Sequence, residues 1–199
     1  MDPDSVPTNL TNHFLIAMPG LEDEFFGRSV VYLCEHSERG ALGLVINKPS
    51  NITVQALFDR VALPLPRADL ADQPIFIGGP VQTDRGFVLH EAIFGPADAD
   101  VEPVYGSTLR IPGGLEMTTS KDVLEAVSTG SGPRKMFISL GYSAWGQGQL
   151  ESEISENSWL TVPAEHRLIF DTPVLLRYAQ ALELLGLEPW MLTLDAGHA

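Results

Sequence analysis

Short apolar runs rich in β-branched and aromatic residues recur along the chain, and this pattern is typical of buried β-strands. The third run follows the second after only Ser37–Gly40, so we expect these two to form a hairpin. Pro112–Gly114 separates the sixth and seventh runs in the same way and predicts a second hairpin. The predicted strands cover residues 14–18, 29–36, 41–48, 74–80, 86–94, 107–111, 115–118, 135–141 and 159–163.

Other segments repeat their apolar positions at the i, i+3, i+4 spacing that lines one face of a helix. The predicted helices cover residues 54–61, 119–130, 149–157 and 173–185. Asn51 or Thr53 is expected to cap the first helix, and Thr119 with Asp122 has the spacing of a capping box at the second. In the last helix the expected buried face consists of Leu175, Tyr178, Ala179, Leu182 and Leu185.

The order of these elements predicts an α+β or mixed α/β architecture, because the first three runs are all strands and regular strand–helix alternation is missing. The acidic, proline-bearing stretch 95–106 is the weakest point of the chain, yet the segments on either side have too few strands to close a core alone. No repeat or flexible linker is visible. We therefore predict one domain over residues 13–199, preceded by a mobile lead-in over residues 1–12.

Composition excludes several classes of protein. The chain has 199 residues, of which 44% are hydrophobic and 19% charged, as in globular proteins. Twelve Lys and Arg against 26 Asp and Glu give 12 − 26 = −14, so the average surface repels polyanions and we expect no direct contact with nucleic acid. No apolar run approaches the roughly 20 residues that span a bilayer, and the N-terminus lacks the features of a secretory signal. We expect a cytoplasmic protein without a membrane partner.

Two motifs invite a catalytic interpretation that the residues do not favour. The segment 141–146, GYSAWG, is similar to the G-x-S-x-G elbow of hydrolases, but Trp145 stands where the second glycine is needed. A strand-to-helix loop anchored by this tryptophan is therefore favoured over a Ser143 nucleophile. Cys34, the single cysteine, shares a strand face with His36, but it closes an apolar run, which favours a buried thiol over a catalytic pair.

The five histidines lack the spacing with which one helix or hairpin presents two ligands to a metal. Three acid–histidine pairs, Glu35–His36, His90–Glu91 and Glu165–His166, leave open a two-histidine, one-carboxylate site if they converge in space. Histidines beside acids are also ordinary surface features. We assign no metal ligand, cofactor or catalytic residue.

Polar residues lie close to the glycine-rich ends of several predicted strands, where loops commonly carry function. We predict that they form a face for a protein or small-molecule partner, consisting of Glu35, His36, Asn47, His90, Tyr142, Trp145, Gln149 and Glu151. Glu153 lies at the rim of the apolar face of its helix, where it either forms a structural pair with an arginine or backbone donor or faces a groove. Tyr142, Trp145 and Trp159 are either core anchors or an aromatic contact surface.

Several unusual blocks together resemble the YqgE/AlgH family, in the family's order. They are HFLIAMPGLEDEFFGRSVVYLCEHSERGALGLVINKP, IFIGGPVQTDRGFVLH, TTSKDVLEA, LGYSAWGQGQLESEI with NSWL, and LIFD with the closing GHA. The resemblance covers residue 10 to the C-terminus. It implies a single bacterial cytoplasmic domain with a mixed, barrel-like β-sheet flanked by helices. One family member is linked to control of alginate synthesis, from which the label of transcriptional regulator has spread, and the family has no agreed catalytic residues.

Three hypotheses of function follow. The first is a non-enzymatic regulatory or interaction protein that acts indirectly, through a protein or small-molecule partner. The second is a small enzyme or a ligand- or metal-binding domain that uses the histidines and carboxylates. The third is the DNA-binding regulator of the family label, which would need a basic stripe and an element shaped for the major groove. The basic residues are instead scattered, and the predicted helix near 121–129 carries Asp122 and Glu125 against Lys121.

Overall fold

The computed structural model describes residues 9–98 and 100–192 of the chain. Within these ranges, ten strands alternate irregularly with six short α-helices, and 3₁₀ turns occupy Pro96–Asp98, Val174–Leu176 and Pro189–Leu192. The strands are β1 His13–Ala17, β2 Val30–Ser37, β3 Gly40–Val45, β4 Pro49–Thr53, β5 Pro74–Ile77, β6 Val81–Glu91, β7 Thr108–Ile111, β8 Leu115–Thr118, β9 Met136–Trp145 and β10 Trp159–Pro163. The helices are α1 Val54–Arg60, α2 Ala68–Ala71, α3 Asp122–Ser128, α4 Gln149–Ser155, α5 Arg167–Phe170 and α6 Arg177–Glu183.

All ten strands belong to one mixed sheet. Eight of them follow the order β10-β1-β2-β3-β9-β6-β8-β7, and every neighbouring pair along this path is antiparallel. The strand β5 pairs with β9 in parallel and with β4 in antiparallel orientation, so two short strands branch from the main path. The long strand β9 therefore connects both halves of the sheet.

The sheet curls around a central core. Val162 of β10 and Ile111 of β7 lie at opposite ends of the strand order, yet they belong to the same cluster of buried side chains. Leu168 of α5 and Leu182 of α6 fill the same cluster from the concave side, and both are 0% exposed. The architecture is thus a curled half-barrel with helices on its faces, which confirms the α+β fold and the barrel-like sheet that the resemblance implied.

The convex side of the sheet is also covered, in two separate layers. Leu15 and Leu33 face a cluster that includes Trp145 and Leu150 of α4, while Val88 faces a cluster built by α1, α2 and α3. Since alternate residues of a strand point to opposite faces, strands that are covered on both sides need apolar residues at every position. This explains why the first strands read as continuous apolar runs.

Both predicted hairpins are confirmed, since β2 pairs with β3 and β7 with β8. The strand β4 was not predicted, because Pro49–Thr53 is mostly polar. It forms a strand by pairing with β5 at two positions, Pro49 with Phe76 and Thr53 with Pro74. The strand β9 runs to Trp145 rather than stopping at residue 141, and β6 begins at Val81 rather than at residue 86. The expected strand-to-helix loop at 141–146 is thus largely a strand that pairs with β3.

The helix predictions need two corrections. The last helix is interrupted: a 3₁₀ turn precedes α6, so Leu175 does not join the buried face and is 95% exposed. Leu185 lies beyond the end of α6 and is 37% exposed, so it does not join that face either. Thr53 does cap α1, accepting the Ala56 N–H at 3.1 Å. The capping box at Thr119 and Asp122 is wrong, because the Asp122 carboxylate instead accepts the Gly106 N–H at 2.8 Å and ties down the end of the preceding loop.

Residues 1–8 of the expected lead-in and residues 193–199 of the expected domain lie outside the described residues. The rest of the lead-in contacts the sheet: Leu10 is 8% exposed, and Asn12 donates its N–H to the Leu33 carbonyl at 2.9 Å. Across the part of the chain that the structure describes, none of the helices is long and apolar enough to span a membrane.

Candidate functional site

Five of the eight residues of the predicted face come together where β2, β3, β9 and α4 meet. Across three neighbouring strands, His36 of β2 pairs with Ala41 of β3, which pairs with Trp145 of β9. The chain then turns through Gly146–Gly148 into α4. We call this region the α4 corner, and define it by Glu35, His36, Trp145, Gln149 and Glu151.

Both nitrogens of His36 are engaged. The Leu10 N–H donates to Nδ1 at 3.0 Å, so the ring proton is on Nε2, which donates to Glu151 Oε1 at 2.8 Å. The His36 side chain is 4% exposed, whereas that of Glu151 is 52% exposed. The pKa of Glu151 lies below its usual value, first because its carboxylate accepts its own backbone N–H and further because His36 donates to it. The imidazole therefore has no nitrogen left for a substrate proton or a metal.

A second carboxylate, Glu153, organises the aromatic part of the corner. Its Oε2 accepts the indole N–H groups of Trp145 at 2.9 Å and Trp159 at 2.8 Å, and its Oε1 accepts the Gln149 amide at 3.0 Å. The two indole rings and Phe26 pack with centroids 5.6 to 6.0 Å apart. Glu153 thus forms a structural pair, with indole rather than arginine or backbone donors, and it also lines a cavity at this corner. Trp145 and Trp159 are core anchors.

Two shallow cavities adjoin at Trp145. One, of about 320 Å³, is lined by Phe26, Gln149 and Glu153 among others. The other, of about 200 Å³, is lined by Glu35 and Arg39 beside the β2–β3 turn. Because Trp145 itself is 5% exposed, the accessible chemistry of this surface comes from the polar side chains around it.

Asn47, His90 and Tyr142 do not join the corner. Asn47 clamps the start of β2, accepting the Val30 N–H at 2.8 Å and donating to the Arg28 carbonyl at 2.9 Å. Tyr142 packs against Phe87 at the border of the buried cluster on the concave side of the sheet, which we call the inner core. The two ring centroids are 5.3 Å apart. These side chains stabilise the sheet, and their polarity alone could not reveal on which face they would lie.

His90 is buried within β6. Its Nδ1–H donates to the Glu91 carbonyl at 3.0 Å, so Nε2 accepts the Thr118 hydroxyl at 2.9 Å. Burial lowers the pKa of His90 below its ordinary value and keeps the ring neutral. His166 lies elsewhere in the fold, with its Nε2 3.0 Å from Asn12 Oδ1. Among residues 9–98 and 100–192, no three or more His, Cys, Asp or Glu side chains are grouped to hold a metal ion.

The two candidate nucleophiles are both structural. Cys34 is 2% exposed within the inner core, and burial raises the pKa of its thiol far above the ordinary value. Ser143 is 0% exposed and donates its hydroxyl to the Gly78 carbonyl at 3.0 Å. The core thiol favoured from the sequence is confirmed by this burial, and the Ser143 side chain is likewise buried.

Sequence reasoning missed a buried charge pair on the β7–β8 hairpin. Arg110 and Glu116 face each other in register, with Arg110 Nε 3.4 Å from Glu116 Oε1, and the Glu116 side chain is 2% exposed. The available signal was the opposite charges at facing positions of a predicted hairpin. Arg177 was also missed: it is 6% exposed, donates to the Thr172 carbonyl, and burial lowers its pKa to about 10.

Comparison with known proteins gives a consistent result. A family model described as AlgH-like matches residues 14–190. Proteins named UPF0301 protein from Albidiferax ferrireducens and Polaromonas are 71% and 70% identical, over the full length of both chains in each comparison. The solution structure of the AlgH protein from Pseudomonas aeruginosa has a TM-score of 0.74 at 48% identity, covering 98% of each chain. A Corynebacterium diphtheriae crystal structure, at 23% identity and a TM-score of 0.68 over 87% of this chain and 86% of that one, shares the fold.

Proposed function

We propose that this chain, which belongs to the AlgH-like family, is a non-enzymatic interaction protein that binds a partner protein at the α4 corner. The observation that carries the proposal is the convergence of Glu35, His36, Trp145, Gln149 and Glu151 on one surface beside two adjoining cavities. The names of its relatives specify no activity, so the proposal depends on this geometry and on charge.

The internal bonding of the corner favours recognition over catalysis. General acid–base catalysis needs a side chain whose proton can reach a substrate, and nucleophilic catalysis needs an accessible nucleophile. His36 is enclosed by Leu10 and Glu151, and the Glu153 carboxylate accepts three internal donors. A rigid, already satisfied network of this kind suits a preformed binding surface, since little ordering is needed when a partner docks.

The charge of the surface favours a basic partner segment. Glu35 and Glu151 of the α4 corner and Glu38 of the β2–β3 turn are exposed, against the exposed Arg39 of the same turn, and the whole chain carries a net charge of −14. Such a field attracts lysine- and arginine-bearing segments and speeds their encounter, more strongly at low salt. We propose that the partner is a cytoplasmic protein with an exposed basic segment, and that any effect on transcription is indirect.

The arrangement of the basic residues is also unfavourable for binding nucleic acid. Arg67, Arg134 and Lys135 line a cavity of about 740 Å³, but acidic residues are interleaved with them. Arg67 forms two hydrogen bonds with the Asp69 carboxylate, and Lys135 pairs with Asp171 at 2.8 Å. Phosphate backbones are bound by clusters of uncompensated cations. We therefore propose no direct contact with DNA or RNA.

A charge-reversal experiment tests the proposal. Wild-type chain, the double variant Glu35→Lys with Glu38→Lys, and the matched control Glu183→Lys on the exposed surface of α6 are immobilised and exposed to the soluble proteome of the source bacterium. We expect a basic protein that wild type and control retain, that the double variant loses, and that elutes as salt rises. Equal retention by all three proteins, or operator-specific DNA binding by the isolated chain at physiological salt, would contradict the proposal.

A further inference from the structure

We propose that a cavity at the end of the β7–β8 hairpin binds a small organic cation, a primary ammonium group on an apolar body, through the buried carboxylate of Glu116. The cavity has a volume of about 460 Å³, which is within the range of small-molecule sites. It lies outside the α4 corner and shares none of the residues that define it. The proposal therefore stands or fails independently of the partner-binding function.

The first observation is that the Glu116 carboxylate lacks hydrogen-bond donors. Glu116 of β8 pairs with His90 of β6 on one side and with Arg110 of the edge strand β7 on the other, and it is 2% exposed. Its Oε2 has no hydrogen-bond partner in the part of the chain that the structure describes. Its Oε1 has Arg110 Nε at 3.4 Å, longer than the 2.7–2.9 Å typical of a charge-assisted hydrogen bond. A buried carboxylate with this few donors is costly unless another donor reaches it.

The neighbouring side chains do not supply that donor. His90 uses its one ring proton on the Glu91 carbonyl and accepts from Thr118, so this network is complete without Glu116. Arg110 donates from its two terminal nitrogens to the carbonyls of Asp98 and Val101 in the acidic loop, while its Nε approaches Glu116 Oε1. The arginine thus holds the loop over the hairpin, and the carboxylate keeps capacity for a further donor.

The second observation is the composition of the cavity. Glu116 and Arg110 form part of its wall, and most of the rest is apolar, including Phe94, Ile111, Pro112 and Leu115. A site of this kind binds a ligand by enclosing its apolar body and orienting it with a few polar contacts. The predicted ligand therefore has an alkyl or aryl body and one strong donor group directed at Glu116.

Charge selects a cation as that donor group. Arg110 offsets the charge of Glu116, but the loop that Arg110 holds carries the carboxylates of Asp98, Asp100 and Glu102. Within the lining the charges of Arg110 and Glu116 cancel, and the loop adds three carboxylates, which favours an ammonium group over a neutral alcohol and disfavours a carboxylate. A primary ammonium also provides three donors, of which one suffices for Glu116 Oε2.

Nuclear magnetic resonance titration with three probes tests the proposal on the full chain. The probes are 2-phenylethylamine, 2-phenylethanol and phenylacetate, which share a ring and differ in the head group. We expect saturable shifts of the amides of residues 92–95 and 110–116 with the amine, at least tenfold weaker binding of the alcohol, and none with the acid. Equal affinity for amine and alcohol, or no saturable shifts in those residues, would overturn the proposal.

The variant Glu116→Gln keeps the shape of the side chain and removes its charge, and Glu183→Gln is the matched control on α6. We expect Glu116→Gln to weaken amine binding at least tenfold while the control binds as wild type does. Unchanged amine affinity in a folded Glu116→Gln protein would mean that the carboxylate does not recognise the head group, and would overturn the proposal. Should this variant fail to fold, the comparison of amine and alcohol on wild type decides.

Discussion

The stability of the α4 corner depends on Glu153, and its replacement by alanine is the sharpest test of that network. The carboxylate accepts the indole N–H groups of Trp145 and Trp159, whose residues are 5% and 3% exposed. The variant Glu153→Ala leaves both donors without an acceptor. Since each of the two unsatisfied buried donors costs about 1–3 kcal/mol, we expect the free energy of unfolding to fall by about 2–6 kcal/mol.

Urea unfolding followed by tryptophan fluorescence measures this loss, with an unchanged m-value as the sign that the compactness of the two states is preserved. The matched control is Glu156→Ala at the other end of α4, where an exposed carboxylate accepts only the Ser152 hydroxyl at 3.1 Å. We expect the control to lose less than about 0.5 kcal/mol. A Glu153→Ala loss as small as that of the control would refute the structural role assigned to this carboxylate.

Three further predictions concern the core and the first helix. Cys34 should resist a thiol reagent in the native protein and react once urea exposes it, because burial raises its pKa; rapid native reaction would disagree. Because burial lowers the pKa of His90 below 6.5, the neutral ring stabilises the fold above that pH and this stability is lost as pH falls below it. His90→Gln should therefore flatten the fall in unfolding free energy between pH 7 and 5, and an unaltered slope would disagree. Thr53→Ala should cost about 1 kcal/mol in urea unfolding by removing the α1 cap, and no loss would disagree.

The sequence was sufficient to predict those elements whose contacts join residues close together along the chain. The hairpin of β2 and β3 follows from two apolar runs and a short turn, and the cap at Thr53 from a side chain before an apolar helical face. The strand β4 depends on pairing with β5, which is distant in sequence, so its polar residues gave no signal. The exposed Leu175 had the correct spacing for a helical face, but the 3₁₀ turn ahead of α6 changes its direction.

In the candidate site, too, short segments of sequence predict some features and tertiary pairing determines the others. Glu35, His36, Trp145, Gln149 and Glu151 converge because β2, β3 and β9 are neighbours in the sheet, an order that no single segment specifies. The sequence analysis located Glu153 at the rim of the apolar face of α4, but it did not predict that the two indoles would be its donors. Polar residues at strand ends could be recognised from the sequence, while tertiary pairing decided which of them lie together.

The proposed function requires that the exposed carboxylates of the α4 corner and of the adjoining β2–β3 turn contact a basic segment of a partner protein. Carbodiimide cross-linking in the bacterial lysate, followed by mass spectrometry, tests it directly, because the reagent joins a carboxylate to a lysine amine only where the two touch. We expect cross-links to one partner at Glu35, Glu38 or Glu151. Cross-links spread evenly over the 26 acidic residues, or gathered at Glu183 on α6, would contradict it.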